Sequence, residues 1–321
     1  MERPRFNRIF LVQVLTGLLA SAVLALVRFG ASDNDLILRH QLSKVDRLAS
    51  VRALDFAVLG DSSAGNGVSA EVLRALSGAK VENFALTGSF GLAGDLYLMK
   101  RLHERHGVDQ FVLIHSPDIW NRGLQQEAVF KLLPVGSLPD YDELIAGGVR
   151  WEFFKYLLNP QRLAEAARIL YARAVETVQG KSPPYWIASD FLAQRDETFA
   201  NGGKRLDARV EWKEVSPQKR IELRLLSDYC SERKLNCVLL MGPVHEAAYV
   251  DLQARLDGVF ASHESNRNFR IDTEVHALPD ALMGDTIDHV DLKWKPEATR
   301  IYWASMARYL RDCGEGCKSN F

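Results

Sequence analysis

Five short apolar runs, at residues 56–59, 81–86, 110–115, 236–241 and 269–271, take turns with amphipathic stretches at 70–76, 93–106, 216–232, 247–262 and 296–311. Runs of three to six residues are too short for buried helices and suit strands covered on both faces. Strands separated by helices do not close as tight hairpins. They pair parallel, each helix crossing one face of the sheet in the right-handed sense. The chain is therefore expected to be α/β, with a parallel sheet between two helical layers.

Two stretches break this rhythm. Arg3, Arg5 and Arg8 precede residues 9–27, which carry no charge and only Gln13, Thr16 and Ser21 as polar side chains. About twenty apolar residues are what a bilayer-spanning helix needs. A basic flank before the span and a large domain after it predict a cytoplasmic N-terminus and an exported body. Ala20-Ser21-Ala22 is like a peptidase site, but the apolar run continues to Val27, beyond a usual cleaved segment. Residues 1–30 are accordingly read as an uncleaved single-pass transmembrane anchor. Residues 31–54, with charges and leucines at helical spacing, are read as a stalk helix. The body, 55–321, is interrupted at about 122–214 by a stretch without a convincing central strand. Helical segments at 151–158 and 162–178 and loop signals at Asn159-Pro160, Ser182-Pro183-Pro184 and Asn201-Gly202-Gly203 mark it as a helical insertion. Its position after the third strand suits either a lid or a subdomain that only stabilises the sheet.

A net charge of −1 gives no electrostatic footprint for nucleic acid. The cysteines form two close pairs, Cys230 with Cys237 and Cys313 with Cys317, as local disulfides in an oxidising compartment would; crosswise pairing and free thiols are the alternatives. Zinc fits these spacings poorly, and no metal or cofactor is implied.

The chemistry is concentrated where the first apolar run stops, at Gly60-Asp61-Ser62. A strand ending in a small residue, an acid and a hydroxyl delivers a serine to the carboxyl edge of the sheet, where open α/β sheets bind ligands. Ala64-Gly65-Asn66-Gly67 follows, small enough for close approach of a substrate. In these residues the chain resembles the SGNH (GDSL-type) hydrolase superfamily, whose fold is flavodoxin-like. The resemblance implies Ser62 as nucleophile, with Ser63 as the neighbouring alternative, and the Ser62 amide as one oxyanion donor. A second block, Thr87-Gly88-Ser89 after the second strand, implies the Gly88 amide as another donor.

The third block departs from the family pattern. His115-Ser116-Pro117-Asp118 has proline where an asparagine donor is usual; Asn121 stands three residues on. This Ser-Pro form is similar to membrane-anchored branches of the superfamily, the teichoic-acid D-alanyl-transfer proteins and the acetyltransferases of alginate and related exopolysaccharides. His115 reads as a structural strand-end residue or a site residue.

The last block supplies the base. The family's Asp-x-x-His segment corresponds here to residues 285–298, containing Asp285, Asp288, His289 and Asp291. Three arrangements are open. His289 is the base, oriented by Asp288, Asp285 or Asp291; Asp291 fills the base slot; or the site has lost its chemistry and only binds. A carboxylate titrating near 4 is a poor base for a hydroxyl.

The resemblance thus implies a membrane-tethered, periplasmic serine acyltransferase or esterase acting on O-acyl groups of an exported glycan or envelope polymer. Its catalytic residues would be Ser62, His289 and Asp288, with Ser62 and Gly88 forming the oxyanion hole. A membrane-bound O-acyltransferase partner is implied as acyl donor. The alternative is an inactive glycan-binding or assembly subunit, in which Trp120, Trp151, Trp186 and Trp212 are candidate sugar platforms. His245, after the fourth strand on the functional edge, reads as a loop or helix-start residue, with substrate binding as the alternative.

Overall fold

In the computed structural model the described residues are 54–132, 141–145, 148–161, 215–249, 251–261, 266–284, 286 and 288–310, with isolated positions elsewhere. The expected span at 9–27, the stalk and the Cys313/Cys317 pair lie outside them. Among the described residues no helix is long and apolar enough to cross a membrane.

Five strands, β1 (Phe56–Gly60), β2 (Val81–Asn83), β3 (Gln110–His115), β4 (Asn236–Met241) and β5 (Phe269–Asp272), form one sheet in the order β2-β1-β3-β4-β5. Every pairing is parallel. The molecule is thus α/β, and its strand order is consistent with a flavodoxin-like fold. Val58 pairs with Val112, and Val112 with Val238, so the three central strands end level at one carboxyl edge.

Alternate strand residues supply the two cores. Phe56, Val58, Val112, Ile114, Val238 and Leu240 pack in one cluster with Tyr302 and Met306 of helix α8 (Lys295–Ala307) and Leu73 of α2 (Ala70–Ser77). Helices α3 (Gly91–His106) and α6 (Pro217–Glu232) pack on each other, and α3 also packs on β1. A buried carboxylate ties this pair together: Glu222 takes the Lys219 ammonium on both oxygens at 2.9 Å and accepts the Ala93 amide of the first turn of α3. The disulfide Cys230–Cys237 links the end of α6 to the start of β4.

β2 is shorter than the apolar run because Asn83 turns its side chain inward. Its amide donates to the carbonyls of Ala64 and Val68 in and after α1 (Ser62–Gly67). The main chain nevertheless stays alongside β1, with Phe84 and Leu86 donating to Val58 and Gly60. The expected helix over 247–262 is interrupted. A short 3-10 turn covers Glu246–Ala248, Asp251 adopts a left-handed conformation at φ 61°, and helix α7 runs over Leu252–Phe260.

The described residues fall into two compact units. Residues 54–132 and 215–310 build the sheet unit, including α4 (Gln126–Leu132). The other includes α5 (Val149–Leu158), whose first amide donates to the Asp142 carboxylate and whose Trp151 and Phe154 are exposed and stacked on each other.

Gly60 is the tightest point of the sheet. Its φ is +133°, and a Cβ there would lie 1.9 Å from the Ile114 carbonyl oxygen on β3. Relief requires the two central strands to separate. Gly60→Ala is expected to lower unfolding free energy by about 3 kcal/mol or more, measured by urea titration; a loss below ~1 kcal/mol would show that the strand ends yield easily.

Candidate active site

β1 delivers its last residues to the carboxyl edge, and Asp61 starts α1 as the N-cap. The Asp61 carboxylate accepts the Ser63 amide at 2.9 Å and the Ser63 hydroxyl at 2.6 Å. Ser63 is fully buried and its hydroxyl is committed to that acid. Ser62, the first residue of the helix, faces the other way, and its Oγ lies 2.9 Å from His289 Nε2. With that nitrogen unprotonated, the hydroxyl donates to it. The two groups are 227 positions apart in sequence, and the fold brings them within hydrogen-bond distance.

His289 is held by the backbone on both sides. Its carbonyl accepts the Gly284 amide at 2.7 Å, the Asp291 amide donates to Leu282, and Val290 pairs with Met283. Val290 is buried among Leu278, Met283 and Ala298, which fixes the residue after the imidazole in a small core. The following helix locks onto the nucleophile's helix: Lys295 Nζ donates to the Gly65 carbonyl at 2.6 Å, and Thr299 Oγ1 accepts the Ser69 amide at 2.8 Å. The segments carrying Ser62 and His289 are therefore tied together through α8.

The acids around His289 separate clearly. Asp288 is half-buried and accepts the Thr286 hydroxyl at 2.5 Å; desolvation pushes its carboxyl up, while the neighbouring His289 charge pulls it down. Asp291 caps the 3-10 turn Leu292–Trp294, accepting the Lys293 amide at 3.1 Å and pairing with the Lys293 ammonium at 3.6 Å. Asp291 is thus not placed against Ser62. Asp285 lies outside the described residues.

Beneath the serine is a charged cluster that the sequence reading did not assemble. His115, at the end of β3, contacts Asp95 of α3 through Nε2 and lies 3.5 Å from Asp61 through Nδ1. All three side chains are 1% exposed. Burial disfavours the imidazolium, but Asp95 and then Asp61 outweigh it and push the His115 pKa up to about 10. Burial would raise Asp61 too, yet the His115 contact, the Ser63 hydroxyl and the Ser116 amide hold its carboxyl well below the usual range. Asp61 Oδ2 accepts both the Ser116 amide and hydroxyl at 3.0 Å. Asp95 was missed altogether; its signal is an acid on the buried face of a helix between Leu92, Leu96 and Met99.

Gly88 lies in the turn after β2, where the Phe90 amide donates to Thr87 and the Gly91 amide to Gly88. Beside it is Arg122, also missed, at the end of the 3-10 helix Pro117–Asn121. Its Nε and Nη2 both engage Asp118 Oδ2, the former at 3.0 Å. A Cβ on Gly88 would stand 2.3 Å from Arg122 Nη1, so the close approach of that guanidinium requires glycine. Asn121 is half-buried at the end of the same turn.

The remaining candidates are His245 and the four tryptophans. His245 is buried, with Nδ1 accepting the Ala247 amide at 3.1 Å, a helix-start role. Trp120 is core, edge-on to Phe260; Trp151 is exposed; Trp186 and Trp212 lie outside the described residues. Among the described residues no group of three or more His, Cys, Asp or Glu is disposed to hold a metal ion.

No family model matches the chain, and no curated protein matches it in sequence.

The His115 charge has a sign that titration reads. Its folded pKa is raised above the unfolded value near 6.5, so its contribution is complete below that value and is lost as pH climbs through about 10. Asp61, depressed, contributes above its ordinary range near 4 and loses that contribution in stronger acid. His115→Gln is expected to cost about 3–5 kcal/mol at pH 6, by leaving two buried carboxylates without their cation. The gap to wild type should narrow steadily between pH 7 and 10 in denaturant titrations. A gap independent of pH would mean that His115 is neutral.

Proposed function

We propose that the protein is a serine acyltransferase or esterase of the SGNH type, with Ser62 as nucleophile and His289 as general base. The observation that carries this reading is the 2.9 Å contact between Ser62 Oγ and His289 Nε2 at the carboxyl edge of a parallel sheet. The hydroxyl attacks an acyl carbonyl while its proton passes to the imidazole. The same imidazole returns the proton to the leaving alcohol, and an acceptor alcohol or water then releases the acyl group by the reverse sequence. Ser62 and Gly88 amides are the proposed oxyanion donors. Asp288, half-buried and acting electrostatically on His289, is the proposed acid that favours the imidazolium.

The proposed setting is the periplasmic side of the inner membrane, with residues 9–27 as the tether, and the proposed substrate class is an O-acylated exported glycan or envelope polymer. The apolar stretch and its basic flank support the tether. The buried Cys230–Cys237 disulfide supports an oxidising compartment. Tethering suits acyl transfer to a polymer better than hydrolysis of free esters, and a membrane-bound O-acyltransferase is the proposed acyl source. A binding-only subunit has no need of an imidazole aimed at a serine hydroxyl, so the dyad favours the enzyme.

The test is activity-based labelling of the full-length chain with a fluorophosphonate, alongside p-nitrophenyl acetate turnover. Labelling should vanish in Ser62→Ala and persist in Ser63→Ala. His289→Ala should lower kcat by about 10²–10⁴-fold, whereas Asp291→Asn should stay within a few fold of wild type. A folded wild-type chain that neither labels nor turns over ester would leave the binding subunit as the correct reading.

A further inference from the structure

The cleft contains a cation whose geometry is unusual for a surface ion pair. Arg122 gives two of its three guanidinium nitrogens, Nε and Nη2, to a single oxygen of Asp118. Nη1 has no acceptor among these contacts and is aimed instead at the Gly88 turn. A methyl group on Gly88 would meet it at 2.3 Å and would stand 3.9 Å from the Asp61 Cβ, one residue before the nucleophile. The charge of Asp288, next to His289, also acts on it. The guanidinium therefore borders the end of β1 and the turn after β2.

β3 is followed by Ser116-Pro117, and Pro117 has no N–H to offer. We propose that Arg122 is a catalytic residue whose Nη1 N–H donates to the oxygen of the tetrahedral intermediate formed on Ser62, beside the Gly88 amide. This rests on the acyl-transfer reading of the cleft and adds a residue to it. As Ser62 Oγ bonds to the acyl carbon, its proton goes to His289 Nε2 and the carbonyl π pair moves onto oxygen, giving an alkoxide. Arg122 meets that charge without moving, because Asp118 already fixes the plane of the guanidinium. On collapse the pair returns to the carbonyl, the bond to the leaving oxygen breaks, and that oxygen takes the proton from His289. Lysine would not serve equally, since one ammonium does not hold Asp118 and the oxyanion in a fixed fork.

Gly88→Ala tests this without removing the charge. Gly88 needs no positive φ, its amide survives the substitution, and the only close obstruction is the tip of the flexible Arg122 side chain. The variant should melt near the wild-type temperature while pushing Nη1 aside. With the full-length chain and p-nitrophenyl acetate, a neutral ester, Gly88→Ala and Arg122→Gln should each lose about 100-fold in kcat, with KM within a few fold. The double variant should be no more than a few fold below Arg122→Gln, because both changes remove one interaction. A wild-type rate in either single variant overturns the proposal, as does a double variant losing the product of the two effects. A loss confined to carboxylate-bearing esters also overturns it, assigning Arg122 to substrate binding. Should Arg122→Gln fail to fold, the Gly88→Ala rate decides alone. A wild-type chain that takes up no fluorophosphonate sinks acyl transfer and this role together; normal labelling with unaffected variants sinks only the role of Arg122.

Discussion

Asp61 occupies the junction between the sheet and the cleft, and its carboxylate does the organising there. One oxygen accepts the amide and hydroxyl of Ser63, the other the amide and hydroxyl of Ser116. A buried carboxylate with four neutral donors and no counter-charge would be costly to ionise. The His115 imidazolium, itself held by Asp95, supplies that charge from below. The serine-bearing helix, the end of β3 and the middle of α3 are thereby fixed to one another before any catalytic contact is made. Ser62 then has little choice of direction, because Ser63 next to it is bound inward and the helix starts at that point.

Rigidity on the base side has a different origin. His289 lies on a loop, and loops hold a side chain well only when the backbone around them is paired. Here the pairing comes from Met283 and Val290 and from hydrogen bonds of Gly284 and Asp291, with the apolar side chain of Val290 buried beneath. Lys295 and Thr299 then tie the following helix to carbonyls and amides of the nucleophile's own segment. Polar fixation under the serine and apolar fixation under the histidine meet at a contact of 2.9 Å. Neither anchor depends on the other's chemistry.

The sheet was legible because its central strands are short and mainly apolar; β3 and β4 match the runs at 110–115 and 236–241 residue for residue. Element ends were less legible where a side chain intervened, as at Asn83, or where one residue turned left-handed, as at Asp251. In the cleft, Ser62, Gly88 and His289 were visible because each follows a strand or precedes the last helix in a recognisable block. Asp95 and Arg122 were not. A buried acid in an amphipathic helix looks like an ordinary polar position until its partner, twenty residues on, is seen to point back at it. Arg122 sits where the regular alternation ends, so a sequence reading assigns it to the insertion, although the fold places it beside the second strand's turn.

Pro117 links that displacement to the chemistry. By lacking an N–H it removes a backbone donor from the edge of the sheet, but its fixed φ also opens the 3-10 helix Pro117–Asn121. That helix brings Asp118 and Arg122, four residues apart, onto one side. Asp118 in turn shares the Ser116 hydroxyl with Asp61, so the cation is coupled through two carboxylates to the same junction that orients Ser62.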